Sequence, residues 1–377
     1  MERDVAVVLS GGAVNGVLME LGFLKRLRQS DLWPRIGWIY GTSAGALSGT
    51  MAALDRLDEL EEFMLGLQPD DTFRPHSLWR LPLLGSHDYR LPETVRERLM
   101  DAVELARELT ASPVEVVVSA TDLTESAHGP GARAYELVYS SRTTPPETFG
   151  QALLASAAIS ALVLPLSVDD RVVTDGAWVR NFPLGRAYHQ AGVELIVSFR
   201  YEPTYPHVGA GWLGTVRRRL EHFPKIPPLR ALAEELAAAE ARDARGEPAH
   251  WGDMIVRLMR VAVQQNTVLE ERMAREKDAS LAALEALRAD VDRIVRAEGG
   301  RRGDRVARAV AARFDEAAFP FLGDRLVPRI AVSGGAGELN LETGLRKPRP
   351  WDEAAKRELI ARGYALLDER LAERAVA

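Results

Sequence analysis

The sequence predicts an α/β domain, with a sheet covered by helices on both faces, followed by a mostly helical C-terminal region. Three observations carry this expectation. Short apolar runs alternate with helical patterns from residue 1 to about 200, which is the signature of strands joined by crossover helices. A glycine-rich loop, Ser10-Gly11-Gly12-Ala13-Val14-Asn15-Gly16, stands where the first apolar run gives way to a helix-forming one. A second small-residue turn, Gly41-Thr42-Ser43-Ala44-Gly45, does the same after the second run.

Residues 5–9, Val-Ala-Val-Val-Leu, read as the first strand, because they run directly into the glycine loop and are too short for a signal core. Residues 16–29 follow as a helix, with Leu18, Leu21, Leu24 and Leu27 close enough to helical spacing to bury one face. Residues 36–40, Ile-Gly-Trp-Ile-Tyr, have the apolar and aromatic character of a short buried strand, and 46–54 form the next helix. Residues 114–119, 171–174 and 195–199 supply further strands.

Between about 205 and 320 the chain becomes rich in Ala, Leu, Arg and Glu after the stretch Phe223-Pro224-Lys225-Ile226-Pro227-Pro228. Leu281, Leu284, Leu287, Val291 and Ile294 make one apolar stripe. Ile255, Leu258, Met259, Ala262 and Val263, continued by Leu269 and Met273, suggest a second helix. The charged faces of both read as solvated. Residues 326–332 look like a returning strand and 352–371 like a final amphipathic helix. The expected division is an α/β core over 1–204, a helical insert or cap over 205–320, and a closing strand and helix over 321–377.

With 377 residues, of which 46% are hydrophobic, the chain can bury a large core. A net charge of −6 with both signs intermixed argues against a dedicated nucleic-acid binder. The sequence has no cysteine, which removes disulfides, thiolate metal sites and a cysteine nucleophile together. No run approaches the roughly 18 to 20 apolar residues of a membrane span, so any membrane contact would be peripheral and cytoplasmic residence is the expectation.

The chemistry begins at Ser43. A serine on a tight strand-to-helix turn has its hydroxyl pushed clear of the backbone, with Gly41 and Gly45 accepting close contacts, and the next helix points its N-terminal amides at the same place. The GxSxG pattern also occurs in structural turns, but here the order of strand, turn and helix is met. The glycine loop has two readings, as a cradle for a dinucleotide pyrophosphate or as a source of amides for a developing oxyanion. Its spacing is not GxGxxG, and the nucleotide reading leaves the serine turn unexplained. Seven histidines, His76, His87, His128, His189, His207, His222 and His250, are candidate bases; most lie in polar or proline-rich surroundings and read as surface residues. The run Val172-Val173-Thr174 ends in Asp175-Gly176, and a carboxylate at a strand end can accept the serine proton if a partly desolvated site raises its pKa.

The glycine loop, the GxSxG turn and Asp175-Gly176-Ala177, in this order, resemble the signature of the patatin-like phospholipases. The resemblance extends to Ala155-Ser156-Ala157-Ala158-Ile159 and Asn181-Phe182-Pro183-Leu184, and covers about residues 5–200. One departure lies in the loop, where Val14-Asn15 stand in place of the Arg or Lys that often precedes the last glycine. The resemblance implies a three-layer α/β/α fold and a Ser-Asp dyad, with Ser43 as nucleophile and Asp175 as base. Backbone amides of Gly11, Gly12 and Ala13 would hold the oxyanion, and Gly16, Gly41, Gly45 and Gly176 would shape the motifs. The implied activity is hydrolysis of lipid carboxylic esters, of phospholipase A or lysophospholipase type, through an acyl-serine intermediate and without metal or organic cofactor. Substrates would be phospholipids or other acyl-ester lipids, with the helical region bordering the acyl pocket and making any membrane contact. The alternatives are a general carboxylesterase or thioesterase, and a non-catalytic lipid-binding or scaffold protein of the same fold.

Overall fold

Residues 5–9 are apolar without interruption, the pattern of a strand covered on both faces, and they form a fully buried central strand. A computed structural model of the chain describes residues 3–76, 87–124, 135–160, 162–203, 211–223, 225–247, 251–299, 302–316, 326–341 and 350–376. Its strands are β1 (Val5–Leu9), β2 (Ile36–Thr42), β3 (Phe73–Pro75), β4 (His87–Tyr89), β5 (Glu115–Asp122), β6 (Glu136–Ser140), β7 (Leu166–Val168), β8 (Arg171–Asp175), β9 (Leu195–Tyr201) and β10 (Arg329–Gly334). Eight of them form one sheet in the order β10-β9-β1-β2-β5-β8-β7, with β6 also paired to β5; β3 and β4 form a separate antiparallel pair. The five strands from β10 to β5 run parallel, whereas β6, β7 and β8 join by antiparallel pairing.

Alternation along each strand divides the core into two. Val5, Val7 and Leu9 pack with α1 (Ala13–Arg28), α2 (Ala44–Ala53), α3 (Leu57–Gly66) and the last helix, Glu353–Val376. Ala6 and Val8 face the other way, toward Tyr40, Val117, Phe182, Leu184, Tyr188 and Ala274. The molecule is thus a three-layer α/β/α arrangement with a helical C-terminal region, as a sheet with two apolar faces requires.

The register around β5 brings two strand ends together. Val117 pairs with Tyr40 of β2 on one side and Ser140 of β6 on the other, while Thr121 pairs with Thr174 of β8 and Glu136 of β6. β2 and β8 therefore lie along the same edge of β5. They approach from opposite directions, and Thr42 beside Ser119 is followed directly by Asp175 beside Ala120. The carboxyl ends of both strands meet there.

Several elements differ from the sequence expectation. β2, β5 and β8 run on to Thr42, Asp122 and Asp175, because the small and polar residues at their ends stay within the sheet. The returning strand starts at Arg329, and the helix expected from residue 16 starts at Ala13. The two stripes between 255 and 294 belong to a single helix, Trp251–Glu298. Its docking face departs in part from the one expected: Leu281 of the first stripe is buried, but Leu258, Leu269 and Met273 of the second are exposed. Leu258, Val261 and Met273 are 57%, 63% and 65% exposed, while Thr267 and Lys277 are buried beside Ala274 and Leu281. Polar groups of this helix satisfy the backbone of the segment after β8, so its polar face turns inward.

Candidate active site

β2 ends at Thr42 and α2 begins at Ala44, leaving Ser43 alone in the turn with φ 53° and ψ −117°. A positive φ at a non-glycine residue is strained by roughly 1–3 kcal/mol and persists only where its surroundings enforce it. Here Ser43 N–H donates to Ser156 Oγ at 2.9 Å, and Ser156 Oγ donates to Ser119 O at 2.7 Å, tying the turn to β5. A Cβ at Gly45 would lie 2.7 Å from Leu9, so only glycine lets α2 start this close to β1. At the end of β8 a Cβ on Gly176 would lie 2.9 Å from Thr42 Cγ2, which is how the two strand ends come into contact.

The result is a direct bond between two side chains distant in sequence. Ser43 Oγ donates to Asp175 Oδ2 at 2.8 Å, and both residues are buried. Ala177 N–H donates to Asp175 Oδ1 at 2.8 Å, and the Asp175 backbone is held by Thr121 Oγ1 on its carbonyl and by Ala158 O on its amide. Burial disfavours the ionised carboxylate and pushes Asp175 up to about 7, against the lowering effect of the bonds from Ala177 and Ser43. A carboxyl so placed is half ionised near neutrality and can exchange a proton with the serine hydroxyl.

The glycine loop lies against this pair: a Cβ on Gly11 would be 3.4 Å from Ser43 Cβ. The loop is fastened by Tyr201 N–H to Ser10 Oγ at 2.8 Å and by Gly16 N–H to Gly12 O at 2.7 Å. Gly11 N–H donates to Asn181 O at 2.9 Å. That corrects the expectation for Gly11, whose amide is already used to bind the loop to the segment after Asp175. Gly12 and Ala13 N–H groups donate to no described residue, and Ala13 has φ 47°. Gly12 is needed for space, since a Cβ there would lie 2.7 Å from Gly16 Cα and 2.8 Å from the Tyr201 ring.

A cavity of about 160 Å³ opens beside Ser43. Its wall is almost wholly apolar, built from Val14, Val17, Leu47, Phe63, Met64, Leu153, Leu154, Ile159 and Trp351 among others. No described residue of 205–320 contributes to this wall, so the described part of the helical region does not border this cavity, contrary to expectation. The wall comes instead from α1, α3, the β3–β4 pair, the helix Pro146–Ala155 and the C-terminal segment. Asn15, in the loop position that departs from the family pattern, serves this wall: its Nδ2 donates to Asn340 Oδ1 at 2.7 Å, and its Oδ1 accepts from Leu341 N–H at 3.1 Å.

Among the histidines, His189 and His222 are exposed and His76 is half-buried. His128, His207 and His250 lie outside the described residues. His87 departs from the surface reading: it is 5% exposed, stacks edge-on against Phe73 and lines the cavity. The sequence placed no signal there beyond a histidine in a polar setting. Ser156 entered only as part of the resembling segment 155–159, with no role of its own, and the long-helix residues Asn266 and Thr267, which hold the segment after Asp175, gave no signal.

Comparison with known proteins covers the segment that carries these residues. The family model for patatin-like phospholipase matches residues 7–188. Residues 7–188 form a patatin-like phospholipase domain. The match takes in the glycine loop, the Ser43 turn and the Asp175 motif, and its family is one of lipid acyl hydrolases. The helix Trp251–Glu298 and β10 lie beyond the matched patatin-like segment. Among solved structures, VipD from Legionella pneumophila is 13% identical, with 99% of this chain and 67% of that chain covered at a TM-score of 0.44. No match was found among the curated proteins.

Proposed function

We propose that the protein is a lipid acyl hydrolase working through a Ser43–Asp175 dyad. The observation that carries this reading is the 2.8 Å hydrogen bond from Ser43 Oγ to Asp175 Oδ2 beside an apolar cavity. Ser43 Oγ attacks the ester carbonyl while Asp175 takes its proton. Charge then develops on the carbonyl oxygen, and the Gly12 and Ala13 amides are the donors free to meet it. Collapse of the tetrahedral species expels the alcohol, which takes the proton from Asp175. Water enters and attacks the acyl-serine while Asp175 accepts one of its protons; collapse releases the fatty acid, and the departing Ser43 Oγ takes that proton back from Asp175. The apolar wall suits an acyl chain, whose burial stabilises binding by roughly 0.8 kcal/mol for each CH₂ removed from water.

Membrane contact belongs to the same reading. No helix among the described residues is long and apolar enough to cross a membrane. The exposed Leu258, Val261 and Met273 give the helical region an apolar surface suited to lying on one.

Release of fatty acid from phospholipid vesicles and of nitrophenol from a short-chain nitrophenyl ester tests the assignment. Ser43→Ala and Asp175→Asn are expected to lower kcat by about a thousandfold or more. His87→Ala should keep kcat within about tenfold, since a wall residue affects fit more than proton transfer. Near-normal turnover by Ser43→Ala removes the assignment. An active Asp175→Asn beside a dead His87→Ala would instead make His87 the base.

A further inference from the structure

We infer that Asn266, seconded by Thr267, is a positioning residue for both the Asp175 carboxylate and the Gly11 loop; the inference rests on the dyad proposed above. The turn after β8 is the short helix Ala177–Arg180. In a continuous helix Asn181 N–H would bond to Ala177 O, four residues back. That bond is replaced by a side chain. Asn266 Oδ1 accepts from Asn181 N–H at 2.9 Å, while Asn266 Nδ2 donates to Ala177 O at 2.6 Å and to Trp178 O at 3.3 Å. The carboxamide thus sits between the two backbone groups and satisfies both, acting as a spacer in the turn.

Both ends of this spacer reach the reacting groups. Ala177 N–H holds Asp175 Oδ1 at 2.8 Å. Asn181 O accepts from Gly11 N–H at 2.9 Å. Thr267 adds a second anchor, its Oγ1 accepting from Asn181 Nδ2 at 3.0 Å in a buried setting. Glu270 fixes the register of the helix, pairing with Arg180 and accepting from Gly185 N–H at 2.9 Å. Without the Asn266 carboxamide, Asn181 N–H and Ala177 O are left to bond each other. Closing the turn in that way draws Asn181 O off Gly11 and turns Ala177 N–H away from Asp175. No described residue of the long helix lines the cavity, so the effect falls on the reacting groups and not on substrate fit.

The test uses full-length enzyme titrated to completion with a fluorophosphonate, followed by kcat and KM per titrated site on a soluble nitrophenyl ester, with Ser43→Ala alongside. Asn266→Ala is expected to lower kcat per titrated site by roughly tenfold to a hundredfold, the scale of a small misplacement of reacting groups, with KM within about twofold. Thr267→Val should fall several-fold while Thr267→Ser, which keeps the acceptor, matches the parent. Asn266→Ala at parental kcat per site, with loss confined to the titrated fraction, overturns the inference and makes the contact structural only. Should Asn266→Ala fail to fold, the Thr267 pair decides, and equal kcat for Val and Ser overturns it. An active Ser43→Ala overturns the dyad itself, and this inference with it.

Discussion

Ser43 N–H donates to Ser156 Oγ at 2.9 Å, and that hydroxyl in turn donates to Ser119 O on β5 at 2.7 Å. The serine turn, the segment after the helix Pro146–Ala155 and β5 are fastened through one side chain. Because Ser43 has a positive φ, its conformation depends on such a partner. Ser156→Ala leaves the buried Ser43 N–H and Ser119 O without partners and frees the turn to relax. We expect kcat to fall by about tenfold or more, with KM little changed and the domain folded but less stable by about 1–3 kcal/mol. Steady-state ester hydrolysis with a parallel denaturant titration checks this.

Activity should depend on pH through Asp175. The group acts as base only when ionised, and burial pushes it up to about 7. kcat/KM is therefore expected to rise with pH along a single limb centred near 7, and to level off above it. A limb at the ordinary carboxylate range of about 4 would mean that Asp175 is not the group being titrated.

The same burial links pH to stability. A carboxyl at about 7 in the folded chain and near its ordinary 3.8 when unfolded binds more protons in the folded state between those values. Stability from this group is complete below about pH 4 and is lost as pH rises through about 7, by as much as about 4 kcal/mol. Asp175→Asn carries no such charge, so it should unfold at a higher temperature than the parent at pH 8, with the gap closing by pH 4. Thermal unfolding of both proteins across this range decides it.

The parts of the site that were legible in the sequence are local. The first strand, Val5–Leu9, matches its expected limits, because an unbroken apolar run before a glycine loop has few alternatives. Ser43 and Asp175 were legible because each closes a strand beside glycines, and the register on β5 brings those strand ends together. What stayed hidden depends on contacts across the fold. The acceptor for Gly11 N–H is a backbone carbonyl 170 positions away, which no side-chain pattern reports. The long helix turned its polar face inward because Asn266, Thr267 and Glu270 found backbone and charged partners there. Periodicity finds an apolar stripe but not whether anything covers it. His87 was misread for a similar reason: its amide donates to Leu162 O, far along the chain, and the β3–β4 pair carries its ring into the cavity wall.

The uncovered stripe gives a further prediction. If Leu258, Val261 and Met273 rest on a membrane, the intact protein should float with phosphatidylcholine vesicles containing phosphatidylglycerol. A Leu258→Glu, Met273→Glu double variant should stay behind while hydrolysing a soluble ester at the parental rate. Equal flotation of the two, or none by either, counts against the membrane role.

The central claim is that Asp175 activates Ser43 for attack. Intact-protein mass spectrometry after reaction with a fluorophosphonate tests it most directly, because the reagent reports nucleophilic attack without requiring any particular lipid. The account predicts one adduct on the parent protein, located at Ser43 by peptide mapping, no adduct on Ser43→Ala, and labelling of Asp175→Asn slowed by at least about a hundredfold. An unlabelled parent, an adduct that persists in Ser43→Ala, or Asp175→Asn labelling at the parental rate would contradict it.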